Sequence, residues 1–372
     1  MSDTGLPMHI VHLSYTKGRP AYHDPVTWLA RVAFASGVTE QMTRHATQTV
    51  IYNIHYKGDI TRNGVRYLFP AFKRWQLVLP FEFNRYIKKL KPDVVIIHGL
   101  IFPWQVIMLR WIMGPSLKIV CQHHAERPFT DFRAFIFRLA DRYVGAYLFA
   151  SKEQGDLWVK ARQISSPSKI HEIIGTSSIF RPADRNAARS VTGVTARTVY
   201  LWIGDLNKNK DPLLTARAFA KFAGNRADVG LYMIYQSNDL EHELKQVASG
   251  TSCISLIGRV DHKDLLHWFN SADYFISSSF YEGSGIAVIE ALSCGCIPIL
   301  TNIPSFVKMT NGGTIGRLFE AGDENGLRVA LEDTFGIDRE AESKHVLKYF
   351  EAELSFEANA RKIIAVVNAL RP

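Results

Sequence analysis

Cysteine is scarce in this sequence, and long apolar runs are missing from it. The four cysteines have neither the spacing of a zinc site nor that of a disulfide framework. The longest apolar run, residues 100–113, is interrupted by Arg110 and is too short to cross a bilayer. The chain does not open on a basic segment followed by a long apolar stretch, so we expect no signal peptide. These features predict a cytoplasmic protein.

A second absence concerns nucleotide binding. No Gly-x-Gly-x-x-Gly run opens a helix anywhere in the sequence, although that run is the usual phosphate-binding fingerprint of dinucleotide enzymes. Alternating strands and helices would also fit an NAD-dependent dehydrogenase, and that interpretation fails on its own motif.

What the sequence does contain is enough apolar material for two domains. The chain has 372 residues, of which 47% are hydrophobic and 21% charged, a composition typical of globular proteins. The net charge of +9 is unevenly distributed. Residues 1–200 carry an excess of 14 positive charges, whereas residues 201–372 carry an excess of 5 negative charges. This asymmetry predicts different partners for the two halves.

Short apolar segments of strand length alternate with helical patterns along the chain. The alternation predicts two doubly wound, Rossmann-like α/β domains with mostly parallel sheets. We place these domains at 1–182 and 199–352, with a polar linker at 183–198 and an amphipathic last helix within 353–372. Asp24 and Pro25 are expected to start the first helix. The predicted strands lie at residues 9–14, 48–52, 94–98, 118–122, 146–150, 171–174, 199–203, 231–235, 254–257, 274–277 and 297–300.

The stretch from residue 277 to 300, SSSFYEGSGIAVIEALSCGCIPIL, has the clearest local design. It contains the end of a strand, a glycine loop, a helix and a second strand, which is one βαβ unit. Gly283 and Gly285 flank Ser284 and let backbone N–H groups approach an anion. The helix that follows points its positive end at the same place. The loop is therefore a candidate phosphate cradle.

Two carboxylates accompany this cradle. Glu282 enters the loop, and Glu290 lies in the helix eight residues later. A carboxylate would repel a phosphate, so both acids are better suited to accept hydrogen bonds from hydroxyl groups. A phosphate cradle between two hydroxyl-binding carboxylates fits a sugar nucleotide. The alternative is a plain βαβ unit whose two glutamates are solvated.

The same residues resemble a known family. Glu282-x7-Glu290 within EGSG…EALSCGCIP is similar to the signature of retaining GT-B glycosyltransferases, most closely glycosyltransferase family 4, with Ser284 replacing the usual aromatic residue. The resemblance implies a GT-B fold, in which two Rossmann-like domains face each other across a cleft. It also implies that the last helix, within 353–372, crosses back to the first domain. It further implies transfer of a sugar from a nucleotide-diphosphate sugar, with Glu282 on sugar hydroxyls and Glu290 on the ribose.

Two further segments of the second half, residues 201–211 and residues 257–273, resemble the family's donor-binding domain. Residues 201–206 followed by Lys210 are similar to its opening, and Lys210 matches the lysine that neutralises the diphosphate. Asp205 stands where the family usually has a second cation, an arginine. That departure should weaken phosphate binding unless Lys208, Lys17, Arg19 or Arg259 compensates for it.

The first half resembles the family's acceptor-binding domain more loosely. The paired glycines after the first strand are reduced to Gly18, which we assign to donor binding by the same resemblance. Residues 121–126 resemble a turn whose histidine lies near the donor sugar. Either His123 or His124 corresponds to it, and His124 with Glu126 is alternatively only a capping pair. We take His124 as the candidate catalytic residue, together with Glu282 and Lys210.

No Asp-x-Asp triplet occurs in the sequence. This absence disfavours the other large glycosyltransferase architecture, which holds a divalent metal on such carboxylates. We therefore expect no metal and no other cofactor, with leaving-group charge met by Lys210, nearby basic residues and the helix N-terminus. Two alternatives remain: a GT-B epimerase or hydrolase acting on the nucleotide sugar itself, and a degenerate, non-catalytic relative.

The acceptor is predicted to be a glycan or a lipid-linked sugar, in glycan, glycolipid or cell-envelope polysaccharide synthesis. Residues 72–75 and 83–91 interleave aromatic and basic side chains, and residues 104–111 add a second aromatic stretch. Aromatic and basic side chains in such a pattern suit contact with an anionic membrane surface. We therefore expect the protein at the inner face of a membrane. An ordinary amphipathic helix with a solvated basic face is the alternative. We expect no nucleic-acid partner, because no known reader motif occurs.

Overall fold

The computed structural model describes residues 7–224, 226–237 and 239–370, which form two compact units. The first unit takes in the chain up to residue 177 and the segment that begins at Phe356, and the second consists of residues 178–355. Each unit has its own sheet and its own apolar core. The prediction of two doubly wound α/β domains is therefore confirmed.

The first unit is built on an eight-stranded sheet in the order β3-β4-β2-β1-β5-β6-β7-β8. Every neighbouring pair is parallel except β3 and β4. Apolar residues fill the central strands because helices cover both faces of such a sheet. The strands are β1 (His9–Leu13), β2 (Thr47–Ile51), β3 (Gly58–Arg62), β4 (Val65–Phe69), β5 (Val94–His98), β6 (Lys118–Gln122), β7 (Ala146–Phe149) and β8 (Ile170–Glu172).

Strands β3 and β4 were not predicted from the sequence. They form an antiparallel hairpin at the sheet edge, and the polar residues of β3 hide the usual apolar strand pattern. Asn63 and Gly64 make the turn, with φ of 50° and 79°. An Asn-Gly pair between two strands is a strong hairpin signal, because both residues tolerate positive φ. The signal was therefore present in the sequence.

Among the described residues of the first unit, seven α-helices precede residue 177. The first begins as predicted, because the Asp24 carboxylate accepts hydrogen bonds from the backbone N–H groups of Val26 and Thr27, and Pro25 takes the first helical position. These helices are α1 (Pro25–Arg31), α2 (Ala33–Met42), α3 (Arg74–Val78), α4 (Phe81–Lys89), α5 (Pro103–Met113), α6 (Arg133–Asp141) and α7 (Lys152–Lys160).

The second unit is built on a six-stranded, fully parallel sheet in the order β11-β10-β9-β12-β13-β14. The chain starts in the middle at β9, extends the sheet to one side, and then returns to extend it to the other. Only β14, a three-residue edge strand, was not predicted. The strands are β9 (Thr198–Ile203), β10 (Val229–Ile234), β11 (Ile254–Gly258), β12 (Tyr274–Ser277), β13 (Ile297–Thr301) and β14 (Arg317–Phe319).

The helices of the second unit include one that we had not predicted. The sequence predicts a linker at residues 183–198, whereas the structure places helix α8 within them. The Asp184 carboxylate caps the start of α8, and Gly193 ends it at φ 70°. Within the described residues, every helix falls short of the length and hydropathy that crossing a bilayer requires. The helices are α8 (Arg185–Thr192), α9 (Pro212–Ala223), α10 (Glu241–Ser249), α11 (Leu265–Ser271), α12 (Ile286–Ser293), α13 (Pro304–Met309), α14 (Glu324–Glu332) and α15 (Arg339–Tyr349).

A buried carboxylate joins several elements at the amino ends of β9 and β12. Asp273, with 1% of its side chain exposed, pairs with three arginines, Arg185 at 2.5 Å and Arg189 and Arg339 at 3.4 Å. It also accepts a hydrogen bond from the backbone N–H of Val199 at 2.8 Å. This cluster fixes α8 and the start of α15 to the sheet edge.

The last helix, α16 (Phe356–Ala369), belongs to the first unit. Its apolar face, including Ile363 and Val367, packs with Ile10 of β1 and Ile96 of β5. The Asn359 side chain accepts a hydrogen bond from the backbone N–H of Gly175 at 3.2 Å. The first unit is therefore assembled from two separate parts of the chain.

Candidate functional site

The topology of the second unit marks one place for a ligand. The chain leaves β9 toward β10 on one side of the sheet, and β12 lies on the other side. In doubly wound sheets, ligands bind outside the carboxyl ends of the strands where the strand order reverses in this way. The loops after β9 and β12, residues 204–211 and 278–285, occupy that place, and they contain the residues singled out from the sequence.

An ion pair connects the two loops. The Lys210 ammonium bonds to Oε1 of Glu282, a residue 72 positions away in the sequence. The Ser279 hydroxyl donates to the same carboxylate oxygen at 2.8 Å. Two of the candidate catalytic residues are thus brought together, and the carboxylate offsets the lysine charge at a site where we predicted a diphosphate.

The loop backbones are joined as closely as the side chains. The Ser278 hydroxyl lies 2.8 Å from the carbonyl oxygen of Lys210 and 2.9 Å from that of Asp211. The N–H of Phe280 donates to the carbonyl of Asn209 at 2.8 Å. These bonds hold the lysine and the carboxylate in one geometry before any ligand arrives, which reduces the ordering that binding must impose.

The glycine loop ends in a residue that must be glycine. Gly285 has φ of 50° and precedes the first turn of α12. A Cβ at this position would lie 2.9 Å from a ring carbon of Phe306, which is fully buried. Ser284 and Gly283 are partly exposed beside it. The first N–H groups of a helix have no partner within the helix, so this turn presents donors and a positive dipole end.

The second predicted carboxylate already has a partner. Glu290 in α12 is 4% exposed, and its Oε1 lies 2.6 Å from Nε2 of His262. The His262 ring in turn stacks on Phe180 at a centroid distance of 5.1 Å. The hydrogen bond to Glu290 raises the pKa of His262 above its usual value, and burial opposes that shift. The pair can therefore carry a proton near neutral pH.

His262 and Ser279 are site residues that sequence reasoning missed. Ser279 precedes Glu282 by three positions, and a serine next to a functional carboxylate is a readable signal. His262 is 28 residues from Glu290 and lies in the turn after β11. The contact depends on how the turn after β11 folds against α12, and no local pattern in the sequence indicates it.

The remaining predicted cations stand apart from this pair. Lys208 and Arg259 are exposed, whereas Lys210 is partly buried against Glu282. Asp205 is partly buried directly after β9, where the next N–H, that of Leu206, donates to Ser237 at 2.6 Å. The structure therefore offers Lys210 as the cation that is held in place.

Gly18 lies in the first unit, in the loop after β1. Its N–H donates to the carbonyl of Asn53 at 2.8 Å, and a Cβ would approach a methyl carbon of Ile54 to 3.2 Å. The neighbouring Lys17 ammonium donates to the carbonyl of Ile54 at 3.0 Å. Gly18 thus allows two loops at the carboxyl ends of β1 and β2 to pack closely.

The two histidines after β6 differ in their surroundings. His123 is buried, and its ring nitrogens are both engaged: Nε2 with the carbonyl of Glu126 at 2.8 Å and Nδ1 with the N–H of Ala125. His124 is exposed, and its N–H donates to the Glu126 carboxylate at 2.6 Å. His124 is therefore the one that can meet a ligand, although the capping pair with Glu126 is also present.

In the described parts of the chain, no group of three or more His, Cys, Asp or Glu side chains is placed to hold a metal ion.

Known proteins resemble this chain in sequence. Residues 197–335 match the family model described as "Glycosyl transferases group 1". The D-inositol 3-phosphate glycosyltransferase of Paenarthrobacter aurescens is 26% identical over 165 residues, which cover 42% of this chain and 40% of that protein. The GDP-mannose:cellobiosyl-diphosphopolyprenol alpha-mannosyltransferase of Xanthomonas campestris is 24% identical over 275 residues, which cover 69% of this chain and 70% of that protein.

A solved structure shows the same fold over nearly the whole length. The Anabaena protein HepE, in complex with UDP and glucose, aligns with a TM-score of 0.69 and 14% identity, covering 98% of this chain and 100% of that one. The two parallel-sheet units and this likeness define a protein of the GT-B fold. The match over residues 197–335 shows that this segment is similar to the group 1 glycosyltransferases, in agreement with the resemblance seen in the sequence.

Proposed function

We propose that this protein transfers a sugar from a nucleotide-diphosphate sugar to a glycan or lipid-linked acceptor. The donor binds in the second unit at its switch point, the place outside the carboxyl ends of β9 and β12 where the strand order reverses. The observation that supports this most strongly is the meeting of Lys210 and Glu282 at the carboxyl ends of β9 and β12. Glu290 and the glycine loop lie in the same βαβ unit. A cation, two carboxylates and a helix N-terminus are what a diphosphate flanked by hydroxyl groups needs.

In this proposal, the Lys210 ammonium stabilises the negative charge that develops on the leaving diphosphate. An ammonium group has three donors, so it can contact a phosphate oxygen without giving up Glu282. Its interaction with the diphosphate strengthens as the glycosidic bond breaks, and such an interaction lowers the barrier rather than only improving binding. Glu282 fixes the lysine and accepts a hydrogen bond from a sugar hydroxyl.

Glu290 is the proposed partner of the ribose hydroxyl groups. It is buried and already accepts a hydrogen bond from His262, so a ribose hydroxyl would share or replace that bond. Retention of the anomeric configuration and metal-independent chemistry belong to the same proposal, supported by the resemblance around Glu282 and Glu290. We assign no covalent nucleophile.

A panel of nucleotide sugars tests the donor and the reaction together. The panel should include GDP-mannose, which the Xanthomonas relative's name specifies, and UDP-glucose, given the UDP and glucose in the HepE complex. Release of nucleoside diphosphate is measured with and without lipid-linked acceptors, before and after exhaustive chelation. The anomer of the product is read by NMR. Release that never needs an acceptor would favour a hydrolase or epimerase, and binding without turnover would favour the degenerate relative.

Two variants locate the site. Lys210→Ala is expected to raise the donor KM and to lower kcat, whereas Lys221→Ala should change neither, because Lys221 is exposed on α9 and pairs with Glu324. Glu290→Ala should abolish transfer in a folded protein. Normal turnover by either site variant would refute donor binding at the carboxyl ends of β9 and β12.

Membrane contact through the first unit is the second part of the proposal. Its neighbouring helices α3, α4 and α5 expose several large apolar side chains, and α4 ends in Lys88 and Lys89. Apolar side chains ringed by cations fit an anionic lipid surface. The exposed apolar residues are Trp75, Val78, Phe81, Trp104 and Trp111.

The test compares two triple variants of equal charge. Arg85, Lys89 and Lys91 are changed together to Gln; Lys88 is spared because its ammonium donates to the carbonyl of Ile112 at 2.8 Å. The control changes three exposed lysines of the second unit, Lys221, Lys245 and Lys344. Each cation near the lipid contributes about 1 kcal/mol, and salt weakens it. Equal co-sedimentation of the two variants with anionic vesicles across a salt series would refute a docking face on α4.

A further inference from the structure

A row of polar side chains crosses the buried sheet of the first unit on a diagonal. Gln48 of β2 pairs with Ile10 of β1, and His12 lies two residues beyond Ile10 on the same face. His12 pairs in turn with Ile96 of β5, and His98 lies two residues beyond it. Each step moves one strand across and two residues toward the carboxyl end of the sheet.

The next step of the diagonal reaches the surface. His98 pairs with Gln122 of β6, and His124 lies two residues beyond it in the following turn. The row therefore begins at a buried amide and ends at the exposed histidine that we identified as a candidate catalytic residue. Parallel register alone places these four side chains in line.

Hydrogen bonds connect all four members. Nε2 of His12 lies 3.1 Å from Oε1 of Gln48, and its Nδ1 lies 3.3 Å from Nε2 of His98. Nδ1 of His98 lies 3.3 Å from Nε2 of His124. A neutral imidazole has one donor nitrogen and one acceptor nitrogen, so the protons must all point the same way along the row.

Gln48 decides that direction. Its Nε2 donates to the backbone carbonyl of Ala46 at 3.1 Å, which leaves its Oε1 to face His12. Nε2 of His12 must then carry the proton, and its Nδ1 accepts from Nε2–H of His98. By the same logic, Nδ1 of His98 accepts from Nε2–H of His124. Turning the amide over would set two oxygens against each other at Ala46.

Burial keeps the inner rings neutral, which the one-way order requires. It lowers the pKa of His12 to about 4 and the pKa of His98 well below its usual value. A charged His98 would donate from both nitrogens and break the order. Near neutral pH, neither inner ring therefore takes up a proton.

We propose that Gln48, His12 and His98 are positioning residues that fix His124 as the Nε2–H tautomer and so present its Nδ1 as a hydrogen-bond acceptor for a substrate hydroxyl. The tautomer itself follows from this chain of bonds, and the use of Nδ1 by a sugar hydroxyl rests on the proposed function. An exposed histidine without this row would exchange between its two tautomers and offer an acceptor only part of the time.

The tautomer is read directly by NMR. The full-length protein is labelled with 15N-histidine, the His124 signals are assigned with His124→Asn, and long-range 1H–15N correlations are recorded near neutral pH. The expected spectrum shows a protonated Nε2 and an unprotonated Nδ1 for His124. A protonated Nδ1, or signals averaged between the two tautomers, would overturn the inference.

Changing the amide tests the direction of the row. Gln48→Met keeps the size of the side chain and removes its acceptor, so the Nδ1–H form of His124 should gain population. The control is Gln163→Met, because Gln163 is equally buried and bonds only the backbone of Phe129. An unchanged tautomer in folded Gln48→Met would refute the role of Gln48. If that variant does not fold, the wild-type spectrum decides.

The kinetic consequence separates this inference from the proposed function. With an active donor in hand, Gln48→Met should lower kcat roughly threefold to tenfold, the worth of one hydrogen bond, and leave the donor KM unchanged. If the wild type shows the stated tautomer and turns over no nucleotide sugar, the proposed function fails and the positioning row stands. If turnover is normal and the tautomer is the other one, the row fails.

Discussion

The glycine that opens helix α12 gives the sharpest test of how the donor loop is built. Replacing Gly285 by Ala imposes two costs. The backbone at φ 50° strains any residue with a Cβ, by about 1–2 kcal/mol. The new methyl group would also stand 2.9 Å from the ring of Phe306, which has no exposed surface and little room to retreat. Crowding of a packed core costs about 1–3 kcal/mol.

Together these terms predict that Gly285→Ala destabilises the second unit by roughly 2–5 kcal/mol. For a unit of this size, each kcal/mol lowers the Tm by about 2–4 °C, so a shift of roughly 4–20 °C is expected. Gly193→Ala is the matched control, since Gly193 has φ of 70° in the same unit and no atom lies within 4 Å of an added Cβ. It should show the backbone strain alone.

Calorimetry of the full-length protein measures the Tm of the second unit in both variants. Adding Phe306→Leu to Gly285→Ala should recover part of the loss, and the two changes should couple by at least about 0.5 kcal/mol. Equal Tm shifts for Gly285→Ala and Gly193→Ala would show that the contact with Phe306 does not constrain this loop, and would refute the reasoning.

Three further predictions concern the stability of the two units. Asp273→Ala should destabilise the second unit by about 3 kcal/mol, because it leaves three neighbouring guanidinium groups without their shared carboxylate; urea unfolding measures it. Bonding to Glu290 raises the pKa of His262 above 6.5, so this pair stabilises the unit below that pH and the contribution disappears as the pH rises through the raised pKa. The difference in unfolding free energy between wild type and His262→Gln should therefore be greatest below about pH 6.5 and should fall as the pH rises above it; a flat difference would contradict it. Ala125→Gly should raise the stability of the first unit by about 1 kcal/mol, since Ala125 has φ of 73°; thermal unfolding is the check.

Much of the architecture was readable because local patterns determine it. Buried parallel strands are short apolar runs with turn residues at their ends, and β5 and β12 are plain examples. The glycine loop before α12 was equally visible in the sequence. Gly285 has φ of 50° and packs against the ring of Phe306, so this position requires glycine, and a required glycine is a signal that can be read. The edge strands β3 and β14 escaped prediction, since an edge strand has fewer buried positions to fill with apolar residues.

Pairings across the sheet were not readable in the same way. The sequence indicates that Lys210 and Glu282 serve one ligand, yet their direct bond depends on β9 lying beside β12. Likewise, the contact of His262 with Glu290 depends on tertiary packing between segments 28 residues apart, which the sequence does not indicate. The polar residues Gln48 and His12 within apolar strands were anomalies that called for partners, but naming those partners required the register.

The return of α16 to the first unit has a consequence for biosynthesis. The ribosome completes the second unit, residues 178–355, before it reaches the helix that covers one face of the first sheet. At about 5–20 residues per second, roughly 10–35 s pass in which that face lacks its cover. A nascent chain cut short in this interval would carry an incomplete second unit and a first unit in which Ile10 and Ile96 lack the cover of α16. Such truncated products should be bound by chaperones or degraded, because the first unit is complete only after α16 has been synthesised.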